Sequence, residues 1–148
     1  MNKKILISVG VVVALSVAYY LVSPLWRTVA LNEELPSVTT TPVANQPAII
    51  SRASMIAEAH SVSGEALIVK SGNETFLRFE NLKTTNGPDL HIYLSAGLGV
   101  DDAVDLGAIR ATEGNVNYPI PAGTDLNKYK NALIWCRPFR ILFSYAQL

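Results

Sequence analysis

The sequence predicts an all-β domain, a small antiparallel sandwich or barrel of about seven to nine short strands, preceded by one transmembrane helix. Three observations predict it. An uncharged apolar run fills residues 5–22, a proline- and threonine-rich segment follows, and short apolar stretches separated by turn residues begin near Ser51. We therefore divide the chain into a signal anchor (1–27), a linker (28–50) and a β domain (51–148).

The apolar run is long enough to cross a bilayer, since as a helix it reaches about 27 Å. Lys3 and Lys4 precede it and outweigh Arg27 behind it, which predicts a cytoplasmic N-terminus and a C-terminal domain on the outer side. A cleaved signal peptide would have a shorter apolar part and a small-residue cleavage site. We expect an uncleaved anchor, in a single-pass protein of the cell membrane that contacts lipid through residues 5–22; a cleaved signal and a buried core helix are the alternatives.

The linker shows neither helical nor strand periodicity. It contains Pro36, Pro42 and Pro47 around a run of threonines. Proline removes backbone donors and favours extended chain. This composition predicts a semi-extended spacer between the membrane and the β domain.

The first half of the β domain predicts a hairpin and an alternating strand. The hairpin joins residues 66–70 to residues 75–79 through the turn Ser71-Gly72-Asn73. Residues 90–95, LHIYLS, alternate, so Leu90, Ile92 and Leu94 share one face and His91, Tyr93 and Ser95 share the other.

The sequence of the second half predicts four more strands and one helical turn. Residues 106–111 and 115–121 are expected to be strands, the latter near a sheet edge because it contains Pro119 and Pro121. Residues 124–130 are expected to form the helical turn, capped by Thr124 or Asp125. Residues 132–136, ALIWC, are apolar on both faces and suit a central strand. Residues 140–146 are expected to form the last strand.

Composition excludes several classes of function. The 148 residues are 49% hydrophobic and 16% charged, with a formal net charge of zero. A buried core is expected, and nucleic acid is not an expected partner because no basic patch stands out. Cys136 is the single cysteine, which rules out an internal disulfide and a metal site built on several thiolates.

Four blocks of the chain resemble the DM-thirteen domain family: HSVSGEA (60–66), NGPDLHIYLS (86–95), VDLGAIRATEGNVNYPIP (104–121) and the final segment 125–148. The resemblance covers roughly residues 51–148. It implies a small β-rich extracellular module, often labelled an electron-transfer domain, found alone behind a membrane anchor in microbes and beside haem-binding DOMON domains in animals. It also implies a redox role centred on the cysteine of the I-W-C stretch, which is Cys136 here.

The chemistry of Cys136 depends on its surroundings, because the thiolate is the reactive form. A free cysteine is also among the most buried residue types and often packs as a small hydrophobe. His91 is the leading candidate for a proton partner of the thiol, and His60 is a weaker one. Arg137 follows Cys136 directly, but strand alternation sends it to the opposite face. With no second cysteine to resolve an oxidised sulfur, electron exchange would need a partner protein, a small thiol or a metal.

Two further features have both a structural and a functional interpretation. Trp135 is expected to be core on the face opposite Cys136, with an electron relay as the alternative. Asp101, Asp102 and Asp105 are expected to be a solvated surface, because their spacing fits no EF-hand calcium loop.

Three hypotheses follow from the sequence. The first is a membrane-tethered redox module on the outer side of the membrane, which exchanges electrons or thiol equivalents through Cys136 with an unidentified partner protein. The second is a non-catalytic binding or adhesion module with Cys136 as core. The third is a metal-binding protein that uses Cys136 with His91 or His60 as ligands. No specific cofactor is predicted; a transition metal and a partner-borne haem stay open, as does whether the module is an enzyme.

Overall fold

The computed structural model describes residues 2–23, 27–36 and 46–148. In this part of the chain one helix precedes ten strands, arranged in two five-stranded sheets. The elements are α1 (Lys3–Val22), β1 (Ala30–Asn32), β2 (Ala48–Ser54), β3 (Ile56–Ala57), β4 (Val62–Ser71), β5 (Glu74–Thr84), β6 (Leu90–Ser95), β7 (Ala103–Ala108), β8 (Glu113–Ile120), β9 (Asn131–Cys136) and β10 (Ile141–Gln147).

The two sheets form a sandwich and do not close into a barrel. The first sheet has the order β1-β8-β5-β4-β2 and the second has the order β3-β10-β9-β6-β7. Every neighbouring pair is antiparallel except β1 and β8, which are parallel. The predicted all-β fold class is therefore confirmed, with nine strands from β2 onward and a tenth contributed by β1.

The core lies between the sheets and is built by strand alternation. Phe79 and Tyr118 meet edge to face on the first sheet, with ring centroids 5.9 Å apart. Leu90, Ile92 and Leu94 of β6 face them from the second sheet, as their spacing predicts, and are fully buried. The second sheet therefore has an inner face towards this core and an outer face that carries His91 and Tyr93.

The hairpin and the central strand form where the sequence predicts them. β4 and β5 pair through a tight turn at Gly72, which has a positive φ of 58° that glycine adopts without strain. β9 lies between β6 and β10, as predicted for a central strand. On its outer side Leu133 is flanked in the register by Tyr93 and Tyr145 and is 0% exposed.

One local prediction differs from the structure and another is confirmed. The strand predicted at 106–111 lies at 103–108, and the chain leaves β7 near Gly107, which has φ 104°. Residues 124–130 contain the predicted helical turn: the Tyr129 amide donates to the Asp125 carbonyl oxygen at 2.9 Å, and the Asp125 carboxylate caps the turn by accepting from the amides of Asn127 and Lys128 at 2.9 and 3.3 Å.

Within the predicted linker, the described residues form strand β1 and the start of β2, and residues 37–45 lie outside the described part. The pairing of β1 covers only residues 113–115 of β8, so Pro119 lies beyond it on an open stretch of that edge. Arg78, only 4% exposed, donates to the carbonyl oxygens of Glu33 and Glu34 at 3.1 Å each. The segment just after the helix is thus built into the sheet.

Helix α1 is apolar on all sides. Its residues 3–21 have a mean hydropathy of 2.0, and none of that stretch is buried against the rest of the structure. It is the only helix of the described residues that is long and apolar enough to cross a membrane.

Candidate functional site

Cys136 lies at one end of the sandwich, facing inward. It is the last residue of β9 and pairs with Leu90 of β6 on one side and Ile141 of β10 on the other. Alternation along β9 directs its side chain to the same core as Ile134, and Cys136 is 0% exposed. The position at the strand end means that chain connections, rather than further strands, separate the sulfur from water.

Two connections cover the sulfur. The Cys136 thiol donates a hydrogen bond to the carbonyl oxygen of Pro88, which precedes β6, with a donor–acceptor distance of 3.5 Å. The turn Arg137–Arg140 crosses the same end before β10. It is tied by the Arg137 amide to the Asp89 carbonyl oxygen at 3.2 Å and by the Arg140 amide to the Arg137 carbonyl oxygen at 3.3 Å.

The environment of the sulfur favours the neutral thiol. Burial raises the pKa of Cys136, and the negative charge of Asp89 raises it further. A backbone hydrogen bond with Phe139 acts in the opposite direction without offsetting them. At neutral pH the group is a protonated thiol and therefore a weak nucleophile in the closed structure.

The structure does not bring His91 and Cys136 together. His91 is directly opposite Trp135 in the register of β6 and β9, so its imidazole lies on the outer face of the second sheet. The face of β6 that meets Cys136 is the one that carries Leu90. No hydrogen bond joins His91 to Cys136 within the described residues. Trp135 shares the outer face with His91, as alternation predicts.

His91 instead centres a polar group, the outer-face cluster, formed with Tyr93, Asp89, Asp105 and Arg137. Its Nδ1 lies 3.0 and 3.1 Å from the two carboxylate oxygens of Asp105. Its Nε2 lies 3.1 Å from Arg137 Nη1 and 3.2 Å from Asp89 Oδ1. A neutral imidazole can accept a hydrogen bond from the Arg137 guanidinium, and a protonated one can donate hydrogen bonds to the carboxylates of Asp89 and Asp105.

Charges in the outer-face cluster stabilise one another. Partial burial alone would raise the pKa of Asp105, but hydrogen bonds from His91 and from the Gly107 amide outweigh it and hold the pKa below its usual value. Burial, and then the charge of Asp105, raise the pKa of Tyr93. The cluster is thus a network of paired groups on the surface of the sheet.

His60 also lies away from the sulfur's hydrogen-bonding partners. Its ring packs against Phe143 with centroids 3.9 Å apart, and its amide donates to the Phe143 carbonyl oxygen at 3.2 Å. Within the described residues no three histidine, cysteine, aspartate or glutamate side chains converge as metal ligands. The structure therefore does not assemble Cys136, His91 and His60 into one site.

The acidic residues of the loop before β7 have separate partners. Asp102 accepts from Lys128 and Tyr129 at 3.0 Å each, and those hydrogen bonds lower the pKa of its carboxyl group. Asp105 binds His91 on another strand. Asp105 lies in β7 itself, opposite Tyr93 of β6, and so shares the outer face with His91. The sequence did not show this, because the strand predicted there begins only at Leu106.

The comparison with protein families identifies the fold. A family model described as Electron transfer DM13 matches residues 54–148, which includes strands β3 to β10 and every residue of the site above. No curated protein and no solved structure matches the chain. Since the family model covers more than half of the sequence, the chain belongs to the DM13 electron-transfer family.

Proposed function

We propose that the chain is a membrane-tethered electron-transfer module on the outer side of the membrane, with Cys136 as its exchanging group. Membership of the DM13 family supports an electron-transfer role. The apolar helix α1 supports the tether. The observation that carries the choice of Cys136 is its position: the only thiol of the chain lies within the matched domain, at a strand end covered by the segment of Pro88 and by the four-residue turn Arg137–Arg140.

Exchange at Cys136 requires that turn to open. All four residues of Arg137–Arg140 are exposed, whereas the strand pairing of Cys136 belongs to β6, β9 and β10. Lifting the turn breaks the backbone hydrogen bond from the Arg137 amide to Asp89 and the hydrogen bond of the sulfur with the Phe139 backbone, and no strand pairing of β6, β9 or β10 involves residues 137–140. Short surface turns open locally at lower free energy than core strands.

The chemistry that follows opening is thiol–disulfide exchange. The exposed thiol loses its proton to water, and the thiolate attacks a disulfide of the partner. A sulfur–sulfur bond forms between Cys136 and one partner sulfur, while the other partner sulfur leaves as a thiolate. A second partner thiolate then attacks this mixed disulfide and releases Cys136 reduced, because the chain has no second cysteine.

The alternative function is a non-catalytic binding or adhesion module in which Cys136 is core. Its specific support is the complete burial of the residue and its raised pKa, both typical of structural cysteines. The two functions differ in one measurable property, the access of a reagent to the sulfur in the native fold.

Alkylation kinetics separate them. The full chain in detergent is treated with iodoacetamide, and modification is followed by intact mass, with Cys136→Ser as the control that must stay unmodified. If exchange proceeds through local opening, the rate of Cys136 modification should exceed the rate of global unfolding. Low concentrations of denaturant should leave that modification rate unchanged. Modification only at the rate of global unfolding would reject the redox role of Cys136 and leave the binding module.

A further inference from the structure

The turn that covers Cys136 presents an apolar and cationic surface. Phe139 is 54% exposed, Ile141 is 41% exposed, and Arg137 and Arg140 flank the ring. Arg140 forms no ion pair with any residue in the described part of the chain. An aromatic ring beside an arginine without an ion-pair partner is a composition found where protein segments lie at the surface of a bilayer.

This turn lies at the end of the sandwich that faces helix α1. The Asn86 side chain donates to the Arg27 carbonyl oxygen, just beyond the helix, at 3.0 Å. An open cleft of about 950 Å³ separates the last turns of α1 from the domain, with Tyr19 and Tyr20 on one side and Pro138 on the other. Tyrosines near the end of a membrane helix mark the headgroup layer, so the turn lies at about that depth.

We propose that residues 137–141 dock on the same bilayer that α1 crosses. Phe139 and Ile141 enter the interface between headgroups and acyl chains, and Arg140 binds the phosphates of anionic lipids. This inference rests on the tether of the proposed function. It places the covered sulfur of Cys136 against the membrane surface, so the exchange partner reaches it from the plane of the bilayer.

The charge distribution of the domain favours this orientation. The loop at the opposite end, residues 96–102, exposes Asp101 and Asp102 and its own apolar residue, Leu98, which is 49% exposed. Anionic lipid attracts Arg140 and repels Asp101, whereas Asp102 at the far end is already paired with Lys128 at 2.9 Å. The position of α1 also distinguishes the two ends, because the hydrogen bond from the Asn86 side chain to the Arg27 carbonyl oxygen is at the arginine end.

Photo-crosslinking from single positions tests the docking. The full chain is produced in cell membranes with p-benzoyl-phenylalanine in place of Phe139, Leu98 or Val13, and adducts are identified by mass spectrometry. Val13 is in the middle of α1 and reports the tether alone. Leu98 is the matched control, since it is as exposed as Phe139 but lies at the far end. We expect lipid adducts at position 13. At position 139 we expect at least about ten times the lipid-adduct yield of position 98, because the free energy of transferring one phenylalanine side chain out of water corresponds to at least about that ratio.

The outcomes separate the docking from the tether. Lipid adducts at position 13, with protein adducts or none at position 139, would overturn the docking and leave the tether standing. An absence of lipid adducts at position 13 would overturn both. In nanodiscs of phosphatidylcholine and phosphatidylglycerol, Arg140→Gln should lower the lipid adduct yield at position 139 about fivefold. An unchanged yield would contradict the binding of lipid phosphate by Arg140.

Discussion

Leu90, and not its neighbour His91, lies directly opposite Cys136 in the paired strands β6 and β9. Neighbouring residues of a strand project to opposite faces, so this register gives the sulfur an apolar neighbour and sends the imidazole to the outer face. The register also explains why the thiol has a raised pKa, since neither the His91 nor the Arg137 side chain projects to its face. Any reactivity of Cys136 must then come from movement of its cover and not from a resident base.

The raised pKa of Cys136 predicts a dependence of stability on pH. A group with a raised pKa in the folded state stabilises the fold below its unfolded pKa, about 8.5 for a thiol, and this contribution is lost as pH rises through the folded value. The stability advantage of the native chain over Cys136→Ala should therefore shrink above about pH 9. Urea unfolding of both proteins at pH 7 and pH 10 measures it; a gap that is constant or wider at pH 10 would contradict the raised pKa.

Gly114 should be indispensable for the docking of β1. Its φ is 108°, and an added Cβ would collide with the Leu31 carbonyl oxygen of β1. Gly107 is the matched control, because its φ is 104° but an added Cβ would meet no atom within 4 Å. Gly107→Ala should cost about 1–3 kcal/mol from backbone strain, and Gly114→Ala should cost more because the clash adds to the same strain.

Chemical denaturation of the two glycine variants gives the comparison. Equal losses of stability would mean that β1 does not press against Gly114 in solution. Hydrogen exchange at the amides of residues 30–32 adds a local readout, since Gly114→Ala should expose them and Gly107→Ala should not.

Arg78 should contribute more to stability than a typical surface arginine. It is 4% exposed and also bonds Asn117 Oδ1 at 2.8 Å and Glu80 Oε1 at 2.9 Å. Arg78→Met leaves those oxygens unpaired, and we expect a loss of about 3–5 kcal/mol. Arg52, whose side chain is 44% exposed, pairs with Glu65 at 2.7 Å; Arg52→Met should cost less than about 1 kcal/mol. Thermal unfolding of both variants would refute this contrast if the losses were similar.

The outer-face cluster should support the fold at low pH. The pKa of Asp105 is held below its ordinary value, so its contribution is present above about pH 4 and is lost as pH falls through the folded value. Asp105→Asn should therefore reduce stability at pH 6 but not at pH 2. The effect should be small because the carboxylate is 43% exposed and water screens it.

Asp101→Asn is the control for that measurement, since Asp101 is exposed and forms no ion pair among the described residues. Stability of the two variants is compared by urea unfolding between pH 2 and pH 7. Parallel curves for Asp105→Asn and the native chain would show that the His91 contact is too weak to matter.

Elements with strong local signals could be predicted from the sequence. The hairpin at Gly72 and the strand Leu90–Ser95 have turn chemistry or alternation that needs no knowledge of distant residues. Strand β1 has neither, because three residues show no periodicity and its partner, β8, begins only at Glu113. A parallel pairing between such distant segments depends on tertiary contacts such as those of Arg78.

The candidate site was harder to predict than the strands that build it. Alternation correctly separates Cys136 from Trp135 and His91 from Leu90. It does not determine which residue of β6 is opposite which residue of β9, and a shift of one position exchanges the two faces. That register arises from the packing of both sheets, so the sequence left the pairing of Cys136 and His91 open.

The location of β1 has a practical consequence for fragments of this protein. Residues 54–148, the part that the family model matches, lack β1 and almost all of β2, which form the two borders of the first sheet. Without them β8 and β4 would offer unpaired amides and carbonyls, a template for association between copies. A recombinant domain that starts at Ser54 should therefore self-associate, whereas one that starts at Arg27 should stay monomeric in solution.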